Sequence, residues 1–285
     1  MVSISVSASE VSAGSLTVEK LSAATSALKT DGIVVLENVI DPEHIRVLRE
    51  RVMADVDRFV NRPDAPFNWN RGNVQQDPPP FPPYLFRDVL ANDIVIQVTK
   101  SILGTGLFNS FYSGNTAMPS ESRQPVHADS GQLWPDLEVA PPPYALVVNV
   151  GLVDMSPENG STEIWPGTHL DTSVTMQSGD IEVAQDVLEA RRAVSPPFQP
   201  TVAIGSVVIR DMRLWHAGMP NRTRTPRPML AMIHYVSWWP CGPFKLHESA
   251  KELLAHPDLR QNAEYFEGEV DYVGVPMAHA FAEEA

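Results

Sequence analysis

Cysteine is all but missing from these 285 residues: Cys241 stands alone, so no intramolecular disulfide can brace the fold and a reducing compartment is expected. Its thiol reads as an ordinary packed or exposed side chain. No apolar run approaches the roughly 18 uninterrupted residues of a membrane-spanning helix. The best candidate, 145–153, is broken by Asn149 and Gly151. Residues 1–15 contain no Arg or Lys, which fits neither a secretory nor a mitochondrial leader, and they are expected to fray. The final residues read Phe-Ala-Glu-Glu-Ala and lack a peroxisomal Ser-Lys-Leu address. A cytoplasmic protein is the expectation. Basic charge is scarce too, with 21 Lys and Arg against 35 Asp and Glu for a net charge of −14. Such a field repels nucleic acid, anionic membranes and polyanionic substrates, so a neutral or cationic small molecule is the expected partner. A homodimer is compatible with this composition.

What is present is enough apolar material, 43% of the chain, to fill the core of one domain spanning 1–285. Residues 17–30 have helical spacing, Gly32 ends that helix, and Ile33-Val34-Val35-Leu36 reads as a buried strand. Asp41-Pro42-Glu43 caps and starts a second helix to about Phe59. Prolines and the rings of Phe67, Trp69, Phe81 and Tyr84 predict a long irregular loop over 62–85, half wall and half packing. A helix over 88–103 follows. From residue 107 the texture changes to short apolar strands at 107–113, 122–129, 144–154, 161–165, 201–210 and 229–238, with a helix inserted at 180–192. Helices first and strands later predict a mainly β fold with N-terminal helices, a double-stranded β-helix or cupin-like jelly roll. Its parts would be a helical buttress with the aromatic loop at 16–105, a jelly-roll core at 106–240 and a C-terminal extension at 241–285.

His127 and Asp129 lie two apart, so on an extended segment both side chains point to one side and can grip one metal. With His216 they form a two-histidine, one-carboxylate set, the ligand pattern of a ferrous ion that keeps positions open for dioxygen. An isolated His-x-Asp arises readily by chance, so context has to carry this reading. His169 and His234 compete as third ligand; His216 is preferred because Asn221 and Arg227 follow it. His44 and His247 read as surface. Tyr235, Trp238 and Trp239 close the last strong strand, with Tyr235 the one expected to face substrate.

Three blocks resemble the phytanoyl-CoA dioxygenase-like branch of the iron(II)/2-oxoglutarate dioxygenases. They are Gln124 to Asp129, Glu158-Asn159-Gly160-Ser161-Thr162-Glu163-Ile164-Trp165-Pro166-Gly167-Thr168-His169, and Trp215 to Arg227. The run at 68–80, with Asn-Trp-Asn and Gln-Gln-Asp-Pro-Pro-Pro, is similar to the secondary-metabolite members. The resemblance implies iron on His127, Asp129 and His216, with 2-oxoglutarate and dioxygen as cosubstrates. It further implies Arg227 on the distal carboxylate of 2-oxoglutarate. A guanidinium offers a carboxylate a fixed fork of donors, which agrees. Gln124 and Thr168 are candidate donors to the same cosubstrate. Asn149, a polar amide in the apolar strand 144–154, is costly unless bonded, and the cosubstrate is a candidate partner. Ser206 stands where related sequences usually have Asp. Relatives that install halide lack the carboxylate at the position of Asp129, so its presence implies oxygen-type chemistry. A hydrophobic natural-product intermediate, received by Phe67, Trp69 and Tyr235, suits the aromatic loop better than an acyl-CoA, whose phosphates would meet an acidic protein.

Two other classes use the same residues. A zinc hydrolase accepts the same three ligands but leaves Arg227 unexplained. A noncatalytic jelly roll that binds a ligand or partner protein needs neither.

Overall fold

In the computed structural model, which describes residues 1–176 and 181–275, the chain opens with β1 (Val2–Ser5) and α1 (Ala8–Ala13). The expected frayed N-terminus is therefore ordered. Ser7 and Glu10 form a reciprocal capping box on α1, and Lys20 pairs with Glu10. β1 then pairs in parallel with β2 (Ile33–Glu37). Between them runs α2 (Val18–Thr30), capped by Thr17. Helix α3 (Pro42–Val60) starts as its sequence dictates: Asp41 accepts from the Glu43 amide, and Pro42 occupies the first turn, where an amide would be idle.

The Pro- and aromatic-rich stretch is not wholly irregular. It holds β3 (Phe67–Asn68) and β4 (Asn70–Gln75), because the prolines flank this stretch and leave 67–75 free to pair. The single helix expected over 88–103 is two, α4 (Arg87–Leu90) and α5 (Asp93–Leu103), since Asn92 breaks out to cap the second by accepting from Ile94 and Val95. The remaining elements are β5 (Phe108–Ala117), β6 (Ala145–Gly151), β7 (Glu163–Ile164), α6 (Gln185–Val194), β8 (Val207–Asp211), β9 (His216–Ala217), β10 (Arg227–Tyr235), β11 (Phe244–His247), α7 (Ala250–Leu253), β12 (Arg260–Gln261) and β13 (Ala263–Phe266). The helix expected at 180–192 begins only at Gln185, because the backbone at 181–183 is extended and bonds to 126–128; residue 180 and the end of the 241–285 extension lie outside the described residues.

The large mixed sheet runs β1-β2-β8-β6-β10-β5-β4-β3, with β12 beside β5. Its pairs are antiparallel except β1–β2 and β12–β5. One face packs on the helices through an apolar cluster reaching from Ile4 to Leu259. Facing the other side is a narrower layer built from β7, β9 and single bridges at His127, Glu182 and Phe198. Residues 122–129, expected as a strand, form no continuous ladder: His127 bridges Glu182 and His216, Gln124, Val126 and Ala128 add single backbone bonds to Gly218, Val183 and Ile181, and Pro125 has no amide to give. The fold is mainly β with helices on one face, and the two layers are those of a jelly roll. Among the described residues no helix is long and apolar enough to cross a membrane.

His234 lies on the helix side of β10, where its Nδ1 meets the Thr99 hydroxyl at 3.0 Å. Burial pushes its pKa down to about 3, so the folded ring is neutral while the unfolded one protonates near its ordinary value of about 6.5. Between those values the unfolded chain binds the extra proton, and this contribution to stability is lost as the pH falls. Melting temperature should therefore decline between about pH 6.5 and 4, with a slope from this group of up to about 1.4 kcal/mol per pH unit. A His234→Gln variant, less stable at neutral pH, should show a flatter profile over the same range.

Candidate metal centre

The histidines are brought together by strand register. His127 and His216 exchange both backbone hydrogen bonds, His127 N to His216 O at 3.0 Å and His216 N to His127 O at 2.9 Å. Residues paired in this way across antiparallel strands present their side chains on the same face. The rings accordingly lie 4.4 Å apart, centroid to centroid. Asp129, two residues on from His127, turns to the same side. The candidate ligand atoms of His127, Asp129 and His216 all lie within 4.8 Å of one another. No other such group of His, Cys, Asp or Glu occurs among the described residues.

Each ring is held in the form a metal requires. His127 Nδ1 donates to the Pro125 carbonyl at 2.8 Å, and His216 Nδ1 donates to the Leu214 carbonyl at 2.9 Å. Both Nε2 lone pairs are left for a cation. Burial, helped by the neighbouring His216, pushes His127 down to about pKa 3, so it stays neutral at physiological pH. Burial of Asp129 works against its charge, but Arg210 and the two histidines outweigh it and hold the carboxyl well below the ordinary range. Its side chain retains 29% exposure, so the site opens to solvent on the Asp129 side.

His169 and His234 lie elsewhere. The His169 ring is wedged under Gly32 and donates from Nε2 to the Lys29 carbonyl. His234, as above, faces the helices.

Arg227, at the start of β10, is 2% exposed. One guanidinium nitrogen, Nη2, donates to the Gly160 carbonyl at 2.9 Å, while Nε and Nη1 are buried without a partner. Burial lowers its pKa to about 10, which still leaves it charged at neutral pH. Gly160 sits at φ +77°, and a Cβ there would fall 2.6 Å from the Met219 carbonyl, so glycine is required where the loop presents that oxygen to Arg227. A buried cation with two idle donors asks for an anion.

The three assisting residues divide. Asn149 lies on the same sheet face as Arg227: it pairs with Ala231, four residues along β10, and its amide reaches the Leu230 carbonyl at a long 3.4 Å. Gln124 is a brace within the site. Its Oε1 accepts from Gly218 N at 2.7 Å and its Nε2 donates to Asn68 O at 3.3 Å. A Cβ at Gly218 would fall 2.5 Å from that Oε1. Thr168 is also committed to the protein, donating to Trp165 O at 2.7 Å and accepting from Trp215 N at 2.9 Å. Gln124 keeps its second amide hydrogen for a cosubstrate, whereas the single hydroxyl hydrogen of Thr168 is spent on Trp165 O. Thr168→Val should destabilise the protein by roughly 1–3 kcal/mol, because the Trp215 amide is left buried and unpaired. The midpoint of 2-oxoglutarate binding to the iron-loaded protein should not move.

Of the expected substrate residues, Trp69 lies at the site. Its ring centroid is 5.2 Å from that of His127, and its backbone sits at φ +69°, a conformation that costs a non-glycine residue on the order of 1–3 kcal/mol. Phe67 does not share that place; it packs on the satellite cluster of Phe59, Val74, Tyr272 and Val273. Tyr235 stacks between Phe108 and Trp239, and Trp239 stacks on Tyr144, whose hydroxyl donates to Ser130 beside Asp129. Burial raises the pKa of both tyrosines.

One residue of the site went unread in the sequence. Arg210 donates from Nη2 to Asp129 Oδ2 at 2.6 Å and keeps its Nη1 buried without a partner. The signal was an arginine directly after the apolar run Val207-Val208-Ile209, within the same strand.

Comparison with known proteins agrees with this arrangement. The family model described as phytanoyl-CoA dioxygenase (PhyH) matches residues 28–229. Dioxygenase af480 of Aspergillus fumigatus is 29% identical over 184 residues, 60% of this chain and 54% of that protein. Dioxygenase trt7 of Aspergillus terreus is 25% identical over 222 residues, 73% of this chain and 71% of that protein. The chain thus spans about half the length of the first relative. Among solved structures, AviO1 from Streptomyces viridochromogenes superposes with a TM-score of 0.58 at 22% identity, over 78% of this chain and 97% of that one. EvdMO1 superposes at 0.56 and 20% identity, over 75% and 50%. These two support the fold.

Proposed function

The chain belongs to the phytanoyl-CoA dioxygenase family, and on that premise we propose that it is an oxygenase that uses iron(II), 2-oxoglutarate and dioxygen to oxidise a hydrophobic small molecule. The observation that carries the reading is Arg227, a fully buried cation with Nε and Nη1 unpaired, on a sheet facing a two-histidine, one-carboxylate cluster. The donor set fits iron(II): two imidazoles whose Nδ1 is spent on backbone carbonyls, one carboxylate, and no fourth protein ligand in the cluster. A zinc hydrolase would use the same ligands but gives Arg227 no task.

Iron with 2-oxoglutarate supplies the oxidising power: dioxygen and the keto acid are consumed, succinate and carbon dioxide are released, and one oxygen atom goes to the substrate C–H bond in a hydroxylation. The protein's own part is to bind and orient. His127, Asp129 and His216 hold the metal on one side. Arg227 offers its idle donors to the far carboxylate of the keto acid. Asn149, on the same sheet face as Arg227, would be a further donor. Trp69 covers His127, and Tyr144, Tyr235 and Trp239 form an apolar border that keeps water from the reacting carbon and receives an apolar substrate. The net charge of −14 disfavours the CoA phosphates of an acyl-CoA. A natural-product intermediate fits better.

Anaerobic addition of iron(II) and 2-oxoglutarate should produce a visible charge-transfer band, and air with a suitable substrate should then yield succinate. Tight zinc binding with no such band would favour the hydrolase. Incubating host metabolites with the loaded enzyme and following mass shifts of one added oxygen or two lost hydrogens identifies the substrate. Efficient oxidation of phytanoyl-CoA alone would refute the natural-product reading.

A further inference from the structure

The ion pair between Arg210 and Asp129, like the surface contact of Arg58 with Asp55, differs from the forked arginine–aspartate pairs of the described residues. Arg213 grips Asp211 with both arms, Nε on Oδ1 at 3.0 Å and Nη2 on Oδ2 at 2.8 Å. Arg51 holds Asp55 in the same way at 2.7 Å twice, and Arg87 holds Asp93 at 2.6 and 3.0 Å. Such forked pairs use both carboxylate oxygens and are the most favourable geometry available to arginine. Arg210 does not adopt it. A single nitrogen, Nη2, takes Oδ2 at 2.6 Å, and Nη1 stays buried and unpartnered. The other oxygen, Oδ1, is turned to His216, 3.5 Å from Nε2.

We infer that Arg210 is a positioning residue that occupies Oδ2 of Asp129 so that Oδ1 alone is offered to the metal. The strand makes this possible. Arg210 pairs with Val147 across β8 and β6, so its side chain rises from the same sheet face as Asn149, toward the layer that carries the histidines. A carboxylate with both oxygens free can close on a metal with both, and the position so taken is lost to a chelating keto acid. Arg210 prevents that closure. It also keeps a positive charge beside the ligand set, 9% exposed, with an unused donor for an oxygen bound there. The inference rests on the iron and 2-oxoglutarate reading above.

The test compares wild type with Arg210→Ala, Arg210→Gln and Arg210→Lys, each loaded anaerobically with iron(II) and titrated with 2-oxoglutarate. The readouts are bound iron, melting temperature, and the midpoint and wavelength of the charge-transfer band. In the alanine variant iron should remain bound at one per chain. The 2-oxoglutarate midpoint should rise roughly 10–100-fold, the range for residues that orient a metal ligand, and the band should shift. Lysine, whose ammonium reaches the same oxygen, should recover most of the affinity. If the alanine variant melts too early to load, the glutamine variant, which keeps a donor without the charge, is read against lysine in the same way. Midpoints and bands equal to wild type in alanine or glutamine would overturn the role of Arg210. A wild type with no band would instead refute the iron and 2-oxoglutarate reading itself.

Discussion

Asp129→Ala protein is expected to lose the charge-transfer band and to form no measurable succinate above background. Three groups converge on the cluster, and this substitution removes its single carboxylate, the one anionic ligand that offsets the charge of a divalent cation. The fall in turnover should exceed the roughly 10–100-fold typical of changes one shell further out. It also strands Arg210, whose sole carboxylate partner among the described residues is Asp129. A buried charge deprived of its partner destabilises the fold by about 3–5 kcal/mol when fully dry. Asp129 is 29% exposed, so water would soften that loss and the variant should still fold. Its melting temperature, measured beside the absorption spectrum, separates a ligand defect from unfolding. A band and succinate yield equal to wild type would remove Asp129 from the metal.

Arg227→Gln should raise the 2-oxoglutarate concentration needed for half-maximal turnover by on the order of 10²–10³-fold, with a smaller effect on the saturated rate. Deleting one member of a buried, charge-assisted pair costs about 2–5 kcal/mol of binding, and the loss falls on the cosubstrate's far end rather than on its reacting end. Stability supplies a sharper test. In the free protein Arg227 is a desolvated cation with Nε and Nη1 unpaired, which opposes folding. The glutamine variant should therefore melt no lower than wild type in the absence of ligand. The rise in melting temperature that saturating 2-oxoglutarate gives iron-loaded wild type should disappear from it. A purely structural Arg227 would behave the opposite way.

Much of this site was legible before the fold was known. His127, Asp129 and His216 could be singled out because metal ligation imposes a residue type and a two-residue spacing. Arg227 followed from its place after Asn221 and before a strand. Asn149 was legible by physics alone, as a polar amide in a run of valines. The same physics applies to Arg210: an arginine at the end of an apolar strand needs an anion, but its neighbour Asp211 is taken by Arg213 and its partner Asp129 lies 81 residues away, a pairing only the fold makes. Gln124 and Thr168 illustrate the converse. Both lie in the motif blocks, yet the bonds that occupy them run to Gly218, Asn68, Trp165 and Trp215, contacts made only when distant segments meet. No spacing rule contains those contacts. The N-terminal strand was missed because a four-residue edge strand carries almost no periodic signal; its parallel pairing with β2 supplies the order.

The mutual backbone bonds of His127 and His216 make the metal centre a reader of chain threading. Slip one strand by a single residue against the other and one imidazole turns to the opposite face, leaving a cation with half its nitrogen donors. Only the correctly aligned chain can therefore capture metal tightly. Where metal is plentiful, its binding would draw misaligned forms back through mass action, coupling cofactor supply to the accuracy with which the two layers of this protein assemble.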